Sequence, residues 1–271
     1  MPELPEVETT CRGISPHITG KTFRDIIVRK HQLRWPIAKN IKDLLINKKI
    51  ISVQRRAKYI LIKTNTNTLI IHLGMSGSLY ITTPDSTPGK HDHVDFIFNK
   101  TKCLRYTDPR RFGAILITDK AAMDHPLLIK LGPEPLGEDF NQAYLYQRSI
   151  GRNTAIKNFI MDAHIVSGIG NIYASEALFL ARIHPVRAAG RISKKRHIRL
   201  VSAIQEVLQK AIEAGGTTLR DFVNGEKKPG YFSQQLNVYG RKGEPCQVCN
   251  KPIKQIQQGQ RSSFYCPSCQ H

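Results

Sequence analysis

The last 26 residues of the chain hold four cysteines in two pairs, Cys246-x2-Cys249 and, sixteen residues on, Cys266-x2-Cys269. Each pair spans one tight turn, and two such turns bring four thiolates tetrahedrally onto a single zinc ion. Four protein ligands leave no open position, so one structural Zn2+ per chain is expected. The insert must leave one turn and return to the other. "NKPIKQIQQGQRSSFY" does so as a β-hairpin turning at "QQGQR", with Gly259, Gln260 and Arg261 at its tip. An amide and a guanidinium there suit a phosphate or a groove, although a lone hairpin arginine is more often a solvated charge. Cys11 and Cys103 stand apart, a pattern of metal site plus free thiols that belongs to a reducing cytosol.

Upstream the texture divides. Residues from about 2 to 15 read as a short helix, with Pro2 and Pro5 at its start, glutamates near its positive end and Gly13 as its stop. From Ile50 to about Ile117 β-branched runs are broken by "TNTNT" and "NKTK", two hairpin signals within a sandwich or flattened barrel. "LGPEPLGEDF" (131–140) has no periodicity and reads as a domain boundary. Beyond it, "TAIKNFIMD" and "NIYASEALFLARI" are helix candidates around "AHIVSGIG". Ser193 caps a longer helix on which Ile198, Val201, Ile204, Leu208, Ala211 and Ile212 share a face and Gly215 and Gly216 make the stop.

Lys plus Arg is 41 against 21 acids, a formal charge of +20 with a pI near 9.9. Such a surplus speaks of partners, not of fold, and a nucleic acid is the first candidate. No apolar run is long enough for a bilayer, and Glu3, Glu6 and Glu8 are unlike a signal peptide. The basic run "SKKRHIR" (193–199) reads as a solvated helix face.

"MPELPEVETT" opens the chain. With Met1 removed, Pro2 presents a secondary amine. An α-amino group has a pKa of about 7.7–8.0, so roughly a tenth or more is neutral at pH 7. It is a ready nucleophile for a carbon at the aldehyde level, such as C1′ of a deoxyribose, with Glu3 as proton donor to the opening ring. Read alone, "PE" more often just begins a helix.

"MPELPEVET", "QRRAKY", "HLGMSGSL", "KHDHVD", "RYTDPRRFGA", "LGPEPL", "GNIYASEALF", "GGTTLRDF", "PGYF" and "VYGRKGEPC" together resemble bacterial formamidopyrimidine-DNA glycosylase, from residue 2 to the last cysteine. The resemblance implies an α+β multidomain fold: an N-terminal antiparallel β-sandwich with flanking helices (2–131), a linker (132–150), a helix–two-turn–helix DNA-binding domain (151–236) and a four-cysteine zinc finger (237–271). It implies excision of oxidised purines, 8-oxoguanine and formamidopyrimidines, from double-stranded DNA by a monomer in the bacterial cytoplasm, at the nucleoid and not at a membrane. Pro2 matches the nucleophile that forms a Schiff base with the sugar. Glu3 matches the proton donor in base release, Lys58 the proton-transfer residue of the lyase step, and Arg261 the finger-tip residue assisting δ-elimination, while Glu6 helps hold the opened sugar. The product is a one-nucleotide gap with phosphate on both flanks.

A glycosylase must flip its target base out of the stack. Met75, Arg110 and Phe112 match the family's group that fills the hole. Phe112 wedges between bases, and Arg110 offers donors to O2 and N3 of an estranged cytosine, which favours lesions opposite cytosine over adenine. His91, Arg110, Asn171, Arg152 and Asn153 fall to the phosphate backbone; "GRNTAIK" carries a thinner basic tract than the family's usual one. "GEKKPGYF" resembles the loop that closes over the extruded purine. Endonuclease VIII, a sister enzyme for oxidised pyrimidines, is the nearest rival, and Leu4, "DPRRFG" and "GEKKPGYF" weigh against it. A noncatalytic zinc-finger DNA-binding protein would explain the charge and cysteines but not Pro2, Glu3 and Lys58 together.

Overall fold

The computed structural model describes residues 2–217 and 232–271, in two compact units. The first comprises residues up to Lys130 together with the segment from Ala214 to Ser233; the second comprises Leu131–Glu213 and Gln234–His271.

The first unit opens with α1 (Leu4–Ile18). The helix does not stop at Gly13 but runs on with Pro16 inside it, because Val7, Cys11, Ile14 and Ile18 form one buried stripe that packing holds helical past the glycine. Next come β1 (Asp25–Val28), the one-turn α2 (Ile41–Leu45), β2 (Ile50–Arg56), β3 (Tyr59–Thr64), β4 (Thr68–His72), β5 (Ser78–Thr82), β6 (Asp92–Asn99), β7 (Lys102–Thr107) and β8 (Ala114–Thr118). They form two antiparallel four-stranded sheets, ordered β1-β6-β7-β5 and β2-β3-β4-β8. The "TNTNT" and "NKTK" hairpins are the β3–β4 and β6–β7 turns. Thr64 Oγ1 accepts the Asn67 N–H, and Asn99 Oδ1 accepts the Thr101 N–H, so the turn residues satisfy the backbone that the ladder leaves. Ile60, Ile62, Leu69 and Ile71 from one sheet and Val94, Phe96, Leu104 and Tyr106 from the other alternate inward to make the core, which includes the α1 stripe.

The second unit carries α3 (Gln142–Ser149), α4 (Ile156–Met161), α5 (Asn171–Leu180), α6 (Lys194–Glu213) and a hairpin of β9 (Lys254–Gln258) with β10 (Arg261–Tyr265). Residues 132–150 make hydrogen bonds within their own unit. Gly132 donates to the Ala163 carbonyl at 2.7 Å, and a Cβ on it would lie 2.7 Å from the Ile165 carbonyl, so only glycine approaches this closely. Asn141 then caps α3 by accepting the Tyr144 N–H. On α6 the expected face is buried at Val201, Ile204, Leu208, Ala211 and Ile212, and only its first member departs. Ile198 is half exposed, while His197 is fully buried against Tyr146 of α3, its Nδ1 in contact with the Ser193 carbonyl. The turns between α4 and α5 are closed by Ile165 and Val166 N–H donating to the Asp162 carbonyl, and Gly168 sits at φ +85°. Among the described residues no helix is long and apolar enough to cross a membrane.

Candidate active site and nucleic-acid interface

In the first unit the N-terminus is held by its own helix. Pro2 and Glu3 are buried. Glu3 is the N-cap of α1 and forms a reciprocal capping box with Glu6, whose Oε2 accepts the Glu3 N–H at 2.7 Å. The other Glu6 oxygen accepts the Thr217 N–H at 2.8 Å. Glu6 thus spends both oxygens on backbone, fixing where the residue behind the Pro2 nitrogen sits.

Lys58 lies in the two-residue turn joining β2 to β3. Its neighbour Ala57 has φ +53°, a region that favours glycine. Arg55 braces the turn, Nη1 donating to the Ala57 carbonyl at 3.1 Å and Nε to Glu8 Oε2 of α1 at 2.8 Å. Burial works to raise the Glu8 carboxyl, but the Arg12 and Arg55 guanidinia outweigh it and hold it below the usual range. The same pair of elements, α1 and β2, therefore carries both the amine and the lysine. His72, at the end of β4, is kept neutral: burial first, then the charges of Lys58 and Arg34, depress its pKa to about 4.

Met75, Arg110 and Phe112 project from two adjoining turns. Met75 and Phe112 are among the large apolar side chains left exposed, and Arg110 Nη1 reaches within 4.0 Å of Met75 Sδ. A cavity of about 450 Å³ beside them is lined by Arg34, Arg110, Arg111 and Phe112 with Gln32 and Leu33. Arg34 lies over the Trp35 ring at 4.7 Å. His91 borders a second cavity of about 380 Å³ together with Arg29, Lys30, Lys90 and Arg111.

In the second unit Asn171 begins α5 and donates from Nδ2 to the Ser262 carbonyl. Arg152 and Asn153 are exposed between α3 and α4. Arg261 starts β10 and lines a cavity of about 280 Å³ with Asn158, Met161, Asp162, Gln258 and Gln260. The hairpin turns at Gly259, φ +59°, and Gln260, a two-residue loop of the kind that wants glycine.

The four finger thiols gather within 4.8 Å of one another, with Cys249 and Cys266 Sγ 3.4 Å apart and Cys246 and Cys269 Sγ 4.0 Å apart. Disulfides would be far shorter, whereas Zn–S bonds of about 2.3 Å on a tetrahedron give edges near about 3.8 Å. The Val248 N–H points at Cys246 Sγ at 3.5 Å, the kind of backbone donor that steadies a thiolate ligand. The cluster fits one structural zinc ion held by Cys246, Cys249, Cys266 and Cys269.

Comparison with known proteins agrees along the whole chain. Residues 1–115 match the formamidopyrimidine-DNA glycosylase N-terminal domain, 131–223 the formamidopyrimidine-DNA glycosylase H2TH domain, and 243–271 the zinc finger found in FPG and IleRS. The formamidopyrimidine-DNA glycosylases of Methylococcus capsulatus and Thioalkalivibrio sulfidiphilus are 55% and 54% identical over 270 residues, all of each chain. The chain belongs to the formamidopyrimidine-DNA glycosylase family. A solved complex of the Lactococcus lactis Fpg with an abasic site containing DNA is 32% identical, with a TM-score of 0.92 over 99% of both chains. The MutM (FPG) protein of Thermus thermophilus is 35% identical, with a TM-score of 0.89 over 99% of this chain and 98% of that one.

Two buried charged residues of this glycosylase fold have structural roles that no motif of the sequence announces. Lys157, fully buried on α4, donates to the Ser262 carbonyl at 3.0 Å and to Ser263 Oγ at 2.7 Å. Glu176 on α5 accepts the N–H groups of Asn237, Val238 and Tyr239, anchoring the bend that leads into the finger. The one signal for both was a charged residue inside an apolar helix, "AIKNFI" and "YASEALF", which needs a partner when buried. Of the stretch 225–232 expected to close over a purine, only Phe232 falls within the described residues.

Proposed function

We propose that the protein is a bifunctional DNA glycosylase and abasic-site lyase of base excision repair, removing oxidised purines from double-stranded DNA as a monomer in the bacterial cytoplasm. The observation that carries this reading is the arrangement of Pro2 and Glu3 at the locked head of α1, tied through Glu8 and Arg55 to the Lys58 turn. The relatives named above are formamidopyrimidine-DNA glycosylases, and solved neighbours hold Fapy-dG containing DNA or abasic-site DNA.

The Pro2 nitrogen, once Met1 is gone, attacks C1′ of the damaged nucleotide; the glycosidic bond breaks, the base departs, and Glu3 supplies a proton to the opening sugar ring. A secondary amine forms an iminium that keeps its charge at any pH. That charge acidifies the C2′ proton, whose removal expels the 3′ phosphate by β-elimination, with Lys58 moving protons in this step. Arg261 assists the second elimination, which expels the 5′ phosphate and leaves a one-nucleotide gap. Met75 and Phe112 fill the vacated stack, and Arg110 donates to O2 and N3 of the orphaned cytosine, since adenine presents an amino donor on its pairing edge. His91, Arg152, Asn153 and Asn171 meet phosphates. Zinc supplies no chemistry to the reaction; it folds the finger that presents Arg261.

Borohydride trapping tests the reading. The protein with Pro2 as its first residue is incubated with a duplex carrying 8-oxoguanine opposite cytosine, reduced, and mapped by mass spectrometry. A covalent adduct at Pro2 is expected. A zinc-loaded protein that gives no adduct, or gives it only with an oxidised pyrimidine, would overturn the assignment to purines.

A further inference from the structure

The two turns that carry Met75, Arg110 and Phe112 meet over one buried carboxylate. Asp108 is fully buried. Its Oδ1 accepts the Ser76 hydroxyl at 3.0 Å, and its Oδ2 accepts the Gly113 N–H at 2.8 Å and the Tyr106 hydroxyl at 3.2 Å. Ser76 Oγ in turn accepts the Arg110 N–H at 3.2 Å. The Asp108 carbonyl accepts the Arg111 N–H at 3.2 Å and is 2.8 Å from His93 Nε2. One residue therefore closes its own turn, grips the far end of that turn at Gly113 and, through a single serine, fixes the neighbouring one.

The turns also abut backbone to backbone. A Cβ on Gly74, which sits at φ +65°, would lie 2.5 Å from the Gly113 nitrogen and the Phe112 carbonyl carbon. Among the described residues nothing comparable holds the outer parts of these turns: Met75 and Phe112 are exposed, and the Arg110 side chain reaches Met75 Sδ only at 4.0 Å. A carboxylate with several good donors in a dry site is stiff, because losing any donor strands a buried charge. Such stiffness is what a wedge and a reader need, since recognition groups must be held within a fraction of an ångström.

We propose that Asp108, acting through Ser76, is a positioning residue that sets Met75, Arg110 and Phe112 in one register, so that discrimination of the base opposite the lesion rests on a buried carboxylate that touches no DNA. The proposal rests on the reading that these three side chains fill the void and read the orphaned base. Ser76 is itself buried, so it acts through the turns and not by contact with the duplex. The link is hard to see in sequence, because Ser76 and Asp108 are 32 residues apart and the charges next to Asp108, Arg110 and Arg111, point to no serine.

The test compares Ser76→Ala, Ser76→Thr, Phe112→Ala and Arg110→Ala in the full-length, zinc-loaded protein. Three quantities are measured: excision of 8-oxoguanine from a duplex opposite cytosine, the same opposite adenine, and strand cleavage at a preformed abasic site in single-stranded DNA. The last substrate has no orphaned base and no stack to fill. Removing a buried hydrogen bond of this kind is worth about tenfold in a rate that depends on it. Ser76→Ala is expected to lower duplex excision by about that factor and flatten the cytosine-to-adenine ratio, with single-strand cleavage unchanged. Ser76→Thr, which keeps the hydroxyl, restores the ratio. Loss of all three activities in proportion would show a merely structural serine and overturn the proposal, as would a Ser76→Ala protein with an unchanged ratio. If Phe112→Ala and Arg110→Ala also leave duplex excision and the ratio intact, the void-filling reading itself has failed; if they change both while Ser76→Ala does not, only the role of Asp108 and Ser76 has.

Discussion

Lys157 Nζ lies 2.7 Å from Ser263 Oγ and 3.0 Å from the Ser262 carbonyl, with Lys157 only 1% exposed. The same carbonyl accepts Asn171 Nδ2 at 3.0 Å, so α4 and α5 together pin the strand that begins at Arg261. Lys157→Met keeps the volume and removes the donor, leaving Ser263 Oγ without its partner at a cost of about 1–3 kcal/mol. Arg261 should then be less well held. The expected outcome is a lower ratio of δ- to β-elimination product on abasic DNA, read on a denaturing gel, with zinc content still one per chain. An unchanged ratio would show that the finger is positioned by its metal alone.

The clamp from Glu8 through Arg55 to the Ala57 carbonyl makes a second prediction. Glu8→Gln keeps the shape and removes the charge that fixes the Arg55 guanidinium, so the Lys58 turn loosens by about 1 kcal/mol, as expected for a partly buried, hydrogen-bonded pair. Cleavage of abasic DNA should slow several-fold in kcat, roughly what that energy allows, with KM little changed. Ala57→Gly in the same background adopts the positive φ without strain and should recover part of the loss. A KM effect alone would argue that Glu8 serves binding and not the placement of Lys58.

These two contacts mark what the sequence could and could not show. The "TNTNT" and "NKTK" hairpins, the finger and its tip were legible because the signals are local: a polar turn between alternating strands, or two cysteines on one turn. Gly13 is a poor guide to the end of α1, because a glycine's cost is small beside a stripe of four buried side chains. Ile198 follows the apolar period of α6, yet it is half exposed and His197 is buried beside it because Tyr146 stands opposite, a fact of tertiary packing. What the prolines and glycines of "LGPEPL" do not announce is its contacts: Gly132 comes close to the Ile165 carbonyl, and the Pro133 carbonyl accepts the Ser167 N–H. Lys157, Glu8 and Asp108 work through partners 32 to 106 residues away, and no periodicity announces such pairs.

Metal removal should act on the second unit alone at first. The hydrophobic cluster around Val238, Ile253 and Phe179 includes Cys246 and Cys266, so the hairpin has little core without its zinc. Chelation is expected to unfold β9 and β10 while the sandwich, whose core shares none of these residues, remains folded. Amide exchange should show loss of protection over Lys254–Tyr265 with retention in β3 and β4, and incision of duplex DNA should fall with zinc content. Uniform loss of protection across both segments would contradict this division.

The last prediction concerns pH and follows from His72. Burial, reinforced by Lys58 and Arg34, lowers its pKa from 6.5 to about 4, and its Nδ1 accepts the Gly74 N–H at 3.0 Å, which fixes the proton of the neutral ring on Nε2. Above about pH 6.5 the ring is neutral whether the chain is folded or not, and the group adds no pH dependence. Between that pH and about 4 the unfolded chain takes up a proton that the folded one refuses, so stability falls with pH across this window and levels off below it. The full loss is roughly 3 kcal/mol, from 1.36 kcal/mol per pKa unit. His72→Asn offers Oδ1 to the Gly74 N–H in place of Nδ1 and does not titrate. Urea unfolding at pH 7.5, 6, 5 and 4.5 should therefore give a shallower decline for the variant, the two curves drawing together as pH falls, while carboxylates that titrate in both proteins cancel. Parallel curves would mean that His72 is reached by water and protonates in the folded protein.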